Sequence, residues 1–301
     1  MRALVQWIFN RPYLLLFLTA LFWSGNAIVG RAVIDTMPPI GLAFWRWFLA
    51  FLIVLPFAIR PLMADAQVLK AYWLRIVVLG LLGISTFNAC LYIGLHSTQA
   101  INSGVLQSVM PMLIVGMTAL LGERPTARQL VGIVVALVGV FVMLFRADPA
   151  LMAAFSFNPG DVWILAGVVV YAVYSVGLRW RPQLNPLSFV AATFAVGWLS
   201  MLPLYITETM NGDPVTLLPI NLAAIGYVAI FPSLVAYLCF NRGVELLGAS
   251  RAGITLYLVP MIVSLLAILL LGEPFHLYHA AGMALILGGV GFAESRRKDQ
   301  Q

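Results

Sequence analysis

The sequence predicts an all-α membrane protein: ten transmembrane helices arranged as two inverted five-helix repeats around a central cavity. Three observations carry that reading: a low charge content, apolar runs of membrane-crossing length, and a match between the two halves of the chain. Of the 301 residues, 62% are hydrophobic and 9% are charged, whereas a soluble domain carries roughly 25% charged residues. A soluble fold is excluded. The apolar runs are continuous and lack the alternation of short barrel strands, which argues against an outer-membrane barrel.

Crossing a hydrocarbon core of about 30 Å takes about 20 helical residues, and ten runs meet that length in order. The first, Leu14 to Val33, follows Arg2 and Arg11. It is too long for a signal-peptide core and no small-residue cleavage site separates it from the rest, so it is expected to stay as helix 1. Helix 2 is expected over Ile40 to Ile59, helix 3 over Ile76 to Leu95, and helix 4 over Ile101 to Leu121, with Pro111 half-way along. Helix 5, Leu130 to Phe145, closes a first repeat of residues 1–148. The second repeat, 149–301, holds Val162 to Leu178, Leu187 to Ile206, Leu222 to Phe240, Ala252 to Leu271 with Pro260 half-way along, and Leu277 to Ala293. The two cysteines, Cys90 and Cys239, fall inside these runs and read as small apolar packers, not as a disulfide or a metal pair.

Ten crossings place both termini on one side. If that side is cytoplasmic, 14 of the 17 Lys and Arg residues lie in cytoplasmic segments, Arg31 and Arg146 lie opposite, and Arg46 lies within a span. This split follows the positive-inside rule, so both termini and the loop containing Lys70 are expected in the cytoplasm. The net charge of +6 then reflects topology. It forms no single basic domain and gives no reason to expect a nucleic-acid partner.

Residues 88–141 match residues 237–291 at a fixed offset. Cys90, Gly94, Ala100, Gly104 and Pro111 align with Cys239, Gly243, Ala249, Gly253 and Pro260, each 149 residues on. After one inserted residue, Gly122, Glu123, Gly132 and Gly139 align with Gly272, Glu273, Gly282 and Gly289, 150 residues on. Such a period marks a duplication. Because the unit has an odd number of helices, its second copy enters the membrane from the opposite face. The loop charges agree: the 122–128 turn carries Arg124 and Arg128, and its counterpart over 272–278 carries no Lys or Arg. Inverted repeats are characteristic of alternating-access transporters, with the substrate held near mid-membrane between the halves. Duplication that serves stability alone is the structural alternative.

The residues Trp23-Ser24-Gly25-Asn26 late in helix 1, Arg46 within Phe44-Trp45-Arg46-Trp47, and the two Gly-Glu turns followed by glycine-spaced helices carry a resemblance. Over essentially its whole length the chain resembles the ten-helix, EamA-type permeases of the drug/metabolite transporter superfamily. Within them it looks most like the YddG-type exporters of aromatic and other neutral amino acids. The resemblance implies a basket-like bundle with a central cavity, a bacterial inner-membrane location and no organic cofactor.

The residues themselves offer a candidate cavity lining. Trp163, Gly167, Tyr171 and Tyr174 follow at spacings of 4, 4 and 3, and Trp23, Asn26 and Gly30 at 3 and 4, so each set shares a helix face. In the repeat, Trp23 corresponds to Tyr171 and Asn26 to Tyr174. Asn88 and Tyr92 of helix 3 correspond to Tyr237 and Asn241 of helix 8, with the residue types exchanged. Gln107 and Ser108 precede Pro111, and Tyr257 precedes Pro260. Substrate-binding candidates are therefore Trp23, Asn26, Asn88, Tyr92, Gln107, Trp163, Tyr171, Tyr174 and Tyr257, forming a wall that stacks rings and offers neutral hydrogen bonds. An interfacial aromatic belt is the alternative for Trp163, Tyr171 and Tyr174, and interhelical hydrogen bonding is the alternative for the amides. Pro111 and Pro260 are candidate kinks or gates, because a mid-span proline removes a backbone donor and frees a carbonyl one turn earlier. Arg46 either fixes helix 2 structurally or binds a substrate carboxylate.

All 11 acidic residues lie in loops or at helix ends. A membrane-embedded carboxylate is the usual means of binding a cation, so a dedicated cation pump is disfavoured. The single intramembrane arginine likewise falls short of the basic cluster needed for phosphate sugars. The expected solute is small and neutral or zwitterionic, an aromatic or neutral amino acid exported by alternating access. The alternatives are a broad-specificity drug or metabolite exporter and a facilitative, channel-like permease. No zinc-protease, serine-hydrolase or P-loop motif points to an enzyme. The expected partners are a small-molecule substrate and the lipid bilayer. A monomer is the working expectation, and coupling is left open.

Overall fold

Proline sets the start of five crossing helices. Pro12, Pro39, Pro159, Pro186 and Pro219 each occupy the first turn, where the missing N–H is needed by no partner and the fixed φ suits a helix. The computed structural model describes residues 7–33, 36–95, 98, 100–271 and 274–294, with the side chains of 31, 92, 95, 100–102 and 271 outside that description. Among the described residues, ten helices are long and apolar enough to cross a membrane: α1 (Pro12–Gly30), α2 (Pro39–Ala64), α3 (Trp73–Leu91), α4 (Ser103–Leu120), α5 (Ala127–Leu144), α6 (Pro159–Trp180), α7 (Pro186–Met210), α8 (Pro219–Leu247), α9 (Ala249–Leu270) and α10 (Leu277–Glu294). No strand occurs among the described residues.

The packing shows how the halves relate. α5 packs on α10, α2 on α7 and α4 on α9, while α1 lies against α8 and α9 and α6 lies against α3 and α4. Exchanging each helix with the one five places on maps the first three pairs onto themselves and the α1 contacts onto the α6 contacts. The glycines of α5 and α10 give the direction. A Cβ on Gly132 would meet the Gly289 carbonyl oxygen at 2.5 Å, and one on Gly139 would meet that of Gly282 at 2.8 Å. The pairing runs in opposite chain directions, so repeat-equivalent helices are antiparallel. The fold is two inverted five-helix repeats around a central cavity.

Several features exceed the expected runs. α2 continues to Ala64, and short helices form at Ala66–Ala71 and Pro149–Ala153, because apolar runs report hydrocarbon thickness while helices extend into the polar interface. α4 is interrupted at Ser108–Val109 just before Pro111, and α9 tightens into a 3₁₀ turn at Thr255–Tyr257 just before Pro260. α3 and α8 widen into π-helical turns at Leu81–Thr86 and Ala229–Val235. These turns lie one repeat apart.

Polar contacts join the halves at both ends of the bundle. On the arginine-rich face, Arg179 pairs with Glu123 at 3.2 Å, the Asn185 N–H donates to Asp65, and Tyr13 donates to Glu294 at 2.7 Å. On the opposite face, Glu208 at the end of α7 accepts from the Ile40 and Gly41 N–H groups that open α2, where a helix N-terminus favours negative charge. Buried Asn221 there binds Thr36 and Thr216, and buried Asp161 accepts from Thr98.

Candidate functional site

At the centre, the two π-helical turns place backbone carbonyls where they serve side chains of the opposite half. A π turn shifts the hydrogen-bond register, leaving acceptors free for other donors. The Gly83 carbonyl of α3 accepts from the Tyr237 hydroxyl at 2.6 Å, and the Pro232 carbonyl of α8 accepts from the Trp23 indole N–H at 3.0 Å. Gly83 and Pro232 are themselves 149 residues apart, so the two acceptors occupy equivalent places in the two repeats, while their donors, Tyr237 of α8 and Trp23 of α1, do not.

Around these bonds the rings converge. Trp23 meets Tyr171 edge-on at 5.7 Å between centroids, Tyr237 at 5.9 Å and Phe240 at 5.3 Å. Tyr171 also contacts Phe87, Tyr174 and Phe240. Tyr237 continues the cluster to Trp47 and Phe194. Such edge-to-face pairs contribute about 0.5 to 1.5 kcal/mol each beyond area burial. Tyr171 and Tyr174 are buried, and the Tyr174 hydroxyl donates to Asn241 Oδ1 at 2.8 Å. Trp23 and Asn26 remain partly exposed.

Arg46 lies one helix away. Its Nε donates to Ser233 Oγ at 3.0 Å and its Nη1 to Asn26 Oδ1 at 3.4 Å, and the guanidinium sits 4.6 Å from the Trp47 ring centroid. The hydroxyl of buried Ser233 in turn donates a hydrogen bond to the Val228 carbonyl. Asn26, Arg46 and Ser233 thus form a hydrogen-bonded polar edge beside the rings.

Not every candidate residue gathers here. Trp23, Tyr171 and Tyr174 are brought together, and Asn26 meets them through Arg46 and α1. Asn88 is buried close by, with its amide donating to the Ile84 carbonyl of its own helix. Gln107 likewise bonds one turn back, to Ser103. Trp163 is 47% exposed near the start of α6 and does not join the ring cluster. Tyr257 packs in a separate apolar cluster with Val115, Ile133, Val140 and Ile286, where its hydroxyl has no hydrogen-bond partner. The Tyr92 side chain lies outside the described residues. Tyr237, Phe240, Asn241 and Ser233 join the ring cluster or its polar contacts and are not among the sequence-based candidates. Tyr237 and Asn241 carried a signal as the repeat partners of Asn88 and Tyr92. Phe240 and Ser233 carried none.

The same repeat is visible to a family model. The model of the EamA-like transporter family matches residues 10–145 and again residues 158–293. The chain belongs to the EamA-like transporter family. This EamA-like protein is 28% identical to an uncharacterised transporter, YyaM, of Bacillus subtilis over 92% of both chains. It is 27% identical to an uncharacterised transporter of Archaeoglobus fulgidus, over 93% of this chain and 96% of that one. A chloroplastic WAT1-related protein of Arabidopsis thaliana is 27% identical over 88% of this chain and 65% of its own length. A crystal structure 22% identical in sequence superposes with a TM-score of 0.80, covering 94% of this chain and 96% of that one, which shows a shared fold. The protein is a multi-pass membrane transporter of the drug/metabolite superfamily, and its relatives span bacteria, archaea and a plant plastid. Family membership assigns secondary transport, and among the described residues no group of three metal-ligating side chains converges.

Proposed function

We propose that this EamA-like transporter is a broad-specificity exporter of small neutral or zwitterionic organic solutes, moved by alternating access through the ring-lined centre of the bundle. Neutral and aromatic amino acids, the class that the YddG-type resemblance implies, are the first solutes to test. The observation that carries the reading is the juxtaposition of Trp23, Tyr171, Tyr237 and Phe240 with the polar edge of Asn26, Ser233 and Arg46. Rings bind an apolar side chain by area and edge contacts, while the polar edge orients a head group, so the site suits amphipathic solutes of amino-acid size.

The inverted repeats supply the movement. Opening one face requires the cross-half contacts there to separate: Arg179 from Glu123 and Tyr13 from Glu294 on one side, or Glu208 from α2 and Asn221 from Thr36 on the other. The interruptions before Pro111 and Pro260 sit at equivalent depths, where α4 and α9 bend with the least loss of backbone hydrogen bonds. The arginine-rich face is taken as cytoplasmic, in a bacterial inner membrane.

The test is counterflow in proteoliposomes with a panel of labelled neutral amino acids and organic amines. Saturable uptake, accelerated by unlabelled solute on the far side, is expected. Flux that rises linearly with concentration and shows no exchange would favour a channel-like permease instead.

A further inference from the structure

We propose that Arg46 is the anion anchor of the transport site, so that the solutes it carries present a carboxylate. This rests on the transport reading above and narrows its substrate class. Arg46 is 4% exposed, inside a membrane-crossing helix. A buried charge is costly unless a counter-charge meets it. Its hydrogen-bond partners are Ser233 and Asn26, both neutral, and its stacking partner is Trp47. Among the described residues no carboxylate pairs with it. Arg179–Glu123, Arg181–Glu245 and Arg242–Glu245 are ion pairs at the arginine-rich end of the bundle.

The guanidinium keeps unused donors. A guanidinium has five N–H donors in a planar fork, and the two bonds to Ser233 and Asn26 leave three. Nη2, which neither bond uses, is not among the sealed, unpartnered polar atoms of the interior, so it is the nitrogen that keeps an open side. The neutral partners hold the plane of the fork without neutralising it. A carboxylate is the group that matches such a fork with two parallel hydrogen bonds.

Position also matters. Ser233 follows Pro232, whose carbonyl holds the Trp23 indole, and Asn26 lies one turn along α1 from Trp23. A solute whose carboxylate sits on Arg46 therefore lays its side chain toward Trp23 and Tyr171. α7, the repeat equivalent of α2, contains no Lys or Arg. The charge is thus absent from the duplicated framework, in contrast to the glycines and prolines, and there is one anchor per molecule. A bound simple monocarboxylate would also neutralise the site for the crossing, whereas a zwitterion pairs its carboxylate with Arg46 and keeps its own ammonium charge. The class is small monocarboxylates, with zwitterionic α-amino acids among them.

The experiment uses the full-length chain in proteoliposomes with three probes: labelled L-phenylalanine, 3-phenylpropionate, which lacks the amine, and phenethylamine, which lacks the carboxylate. In the unsubstituted protein, 3-phenylpropionate is expected to compete with L-phenylalanine at least tenfold better than phenethylamine does. Arg46→Gln should raise the KM for L-phenylalanine tenfold or more, leave the weak inhibition by phenethylamine unchanged, and be partly rescued by Arg46→Lys. A purely structural tie between α2 and α8 would instead lower flux of all probes by one factor, and that result overturns the anchor. If Arg46→Gln does not fold, competition in the unsubstituted protein decides alone: equal competition by phenethylamine overturns the proposal. Saturable flux of the amine only would remove the anchor and leave transport standing. Absence of saturable flux for every probe would remove both.

Discussion

Gly132 of α5 lies backbone against backbone on Gly289 of α10, so closely that a Cβ on Gly132 would stand 2.5 Å from the Gly289 carbonyl oxygen and one on Gly289 2.6 Å from that of Gly132. Backbone atoms cannot swing aside as side chains do. Gly132→Leu or Gly289→Leu should therefore force α5 and α10 apart and cost about 1 to 3 kcal/mol or more, as overpacking does. Gly116→Ala and Gly288→Ala, where a new Cβ meets nothing within 4 Å, should leave the melting temperature in detergent unchanged. Equal melting of all four variants would refute the close approach.

The Tyr174 hydroxyl satisfies Asn241 Oδ1, while Asn241 Nδ2 is buried with no partner. Tyr174→Phe would leave the whole amide unsatisfied and should destabilise by about 1 to 3 kcal/mol. Combining it with Asn241→Leu removes the orphaned groups, so the double variant should recover much of the loss. Thermal melts of the two single variants and the double variant measure the coupling, and strict additivity would show that the bond contributes nothing.

Removing one ring of the central cluster should weaken transport. Trp23→Ala and Tyr171→Ala each delete buried aromatic surface worth about 1 to 3 kcal/mol, which corresponds to roughly a tenfold rise in KM or more. Trp163→Ala, outside the cluster and 47% exposed, should change KM little. Counterflow with matched protein amounts separates them. A larger effect at Trp163 than at Trp23 would move the site toward the other end of α6.

Topology is testable through thiols. Cys90 and Cys239 are free and buried, so the unsubstituted chain should resist a membrane-impermeant maleimide. With both replaced by alanine, a single cysteine at Lys70 should label only after the membrane is opened, and one at Asp213 in intact cells. The reverse pattern would invert the orientation expected from the arginine distribution.

Much of the fold was legible in the chain because hydrophobicity is a local property that needs no neighbour to be read. Ten runs became ten helices. The glycines at 132, 139, 282 and 289 announced a repeat, and the same four glycines make the α5–α10 contact. The central ring cluster was legible only in part. Helical spacing placed Trp23, Tyr171 and Tyr174 on inward faces, but it also grouped Trp163 with them, since spacing along one helix does not say where the neighbouring helices end. Tyr257 met the same limit: its helix turns it toward α5 and α10, away from the rings.

The sequence by itself determined the crossing count, the basic asymmetry of the loops and the duplication, because each rests on residue type and interval along the chain. Only the tertiary structure decided which groups share the centre. Trp23 meets Tyr237 and Arg46 meets Ser233 across separations of 214 and 187 residues, and the carbonyls of Gly83 and Pro232 in the π turns accept from Tyr237 and Trp23 of the opposite halves. No interval or composition encodes such contacts. They are settled by which surfaces of ten helices fit together once the membrane has removed water as a partner for every polar group.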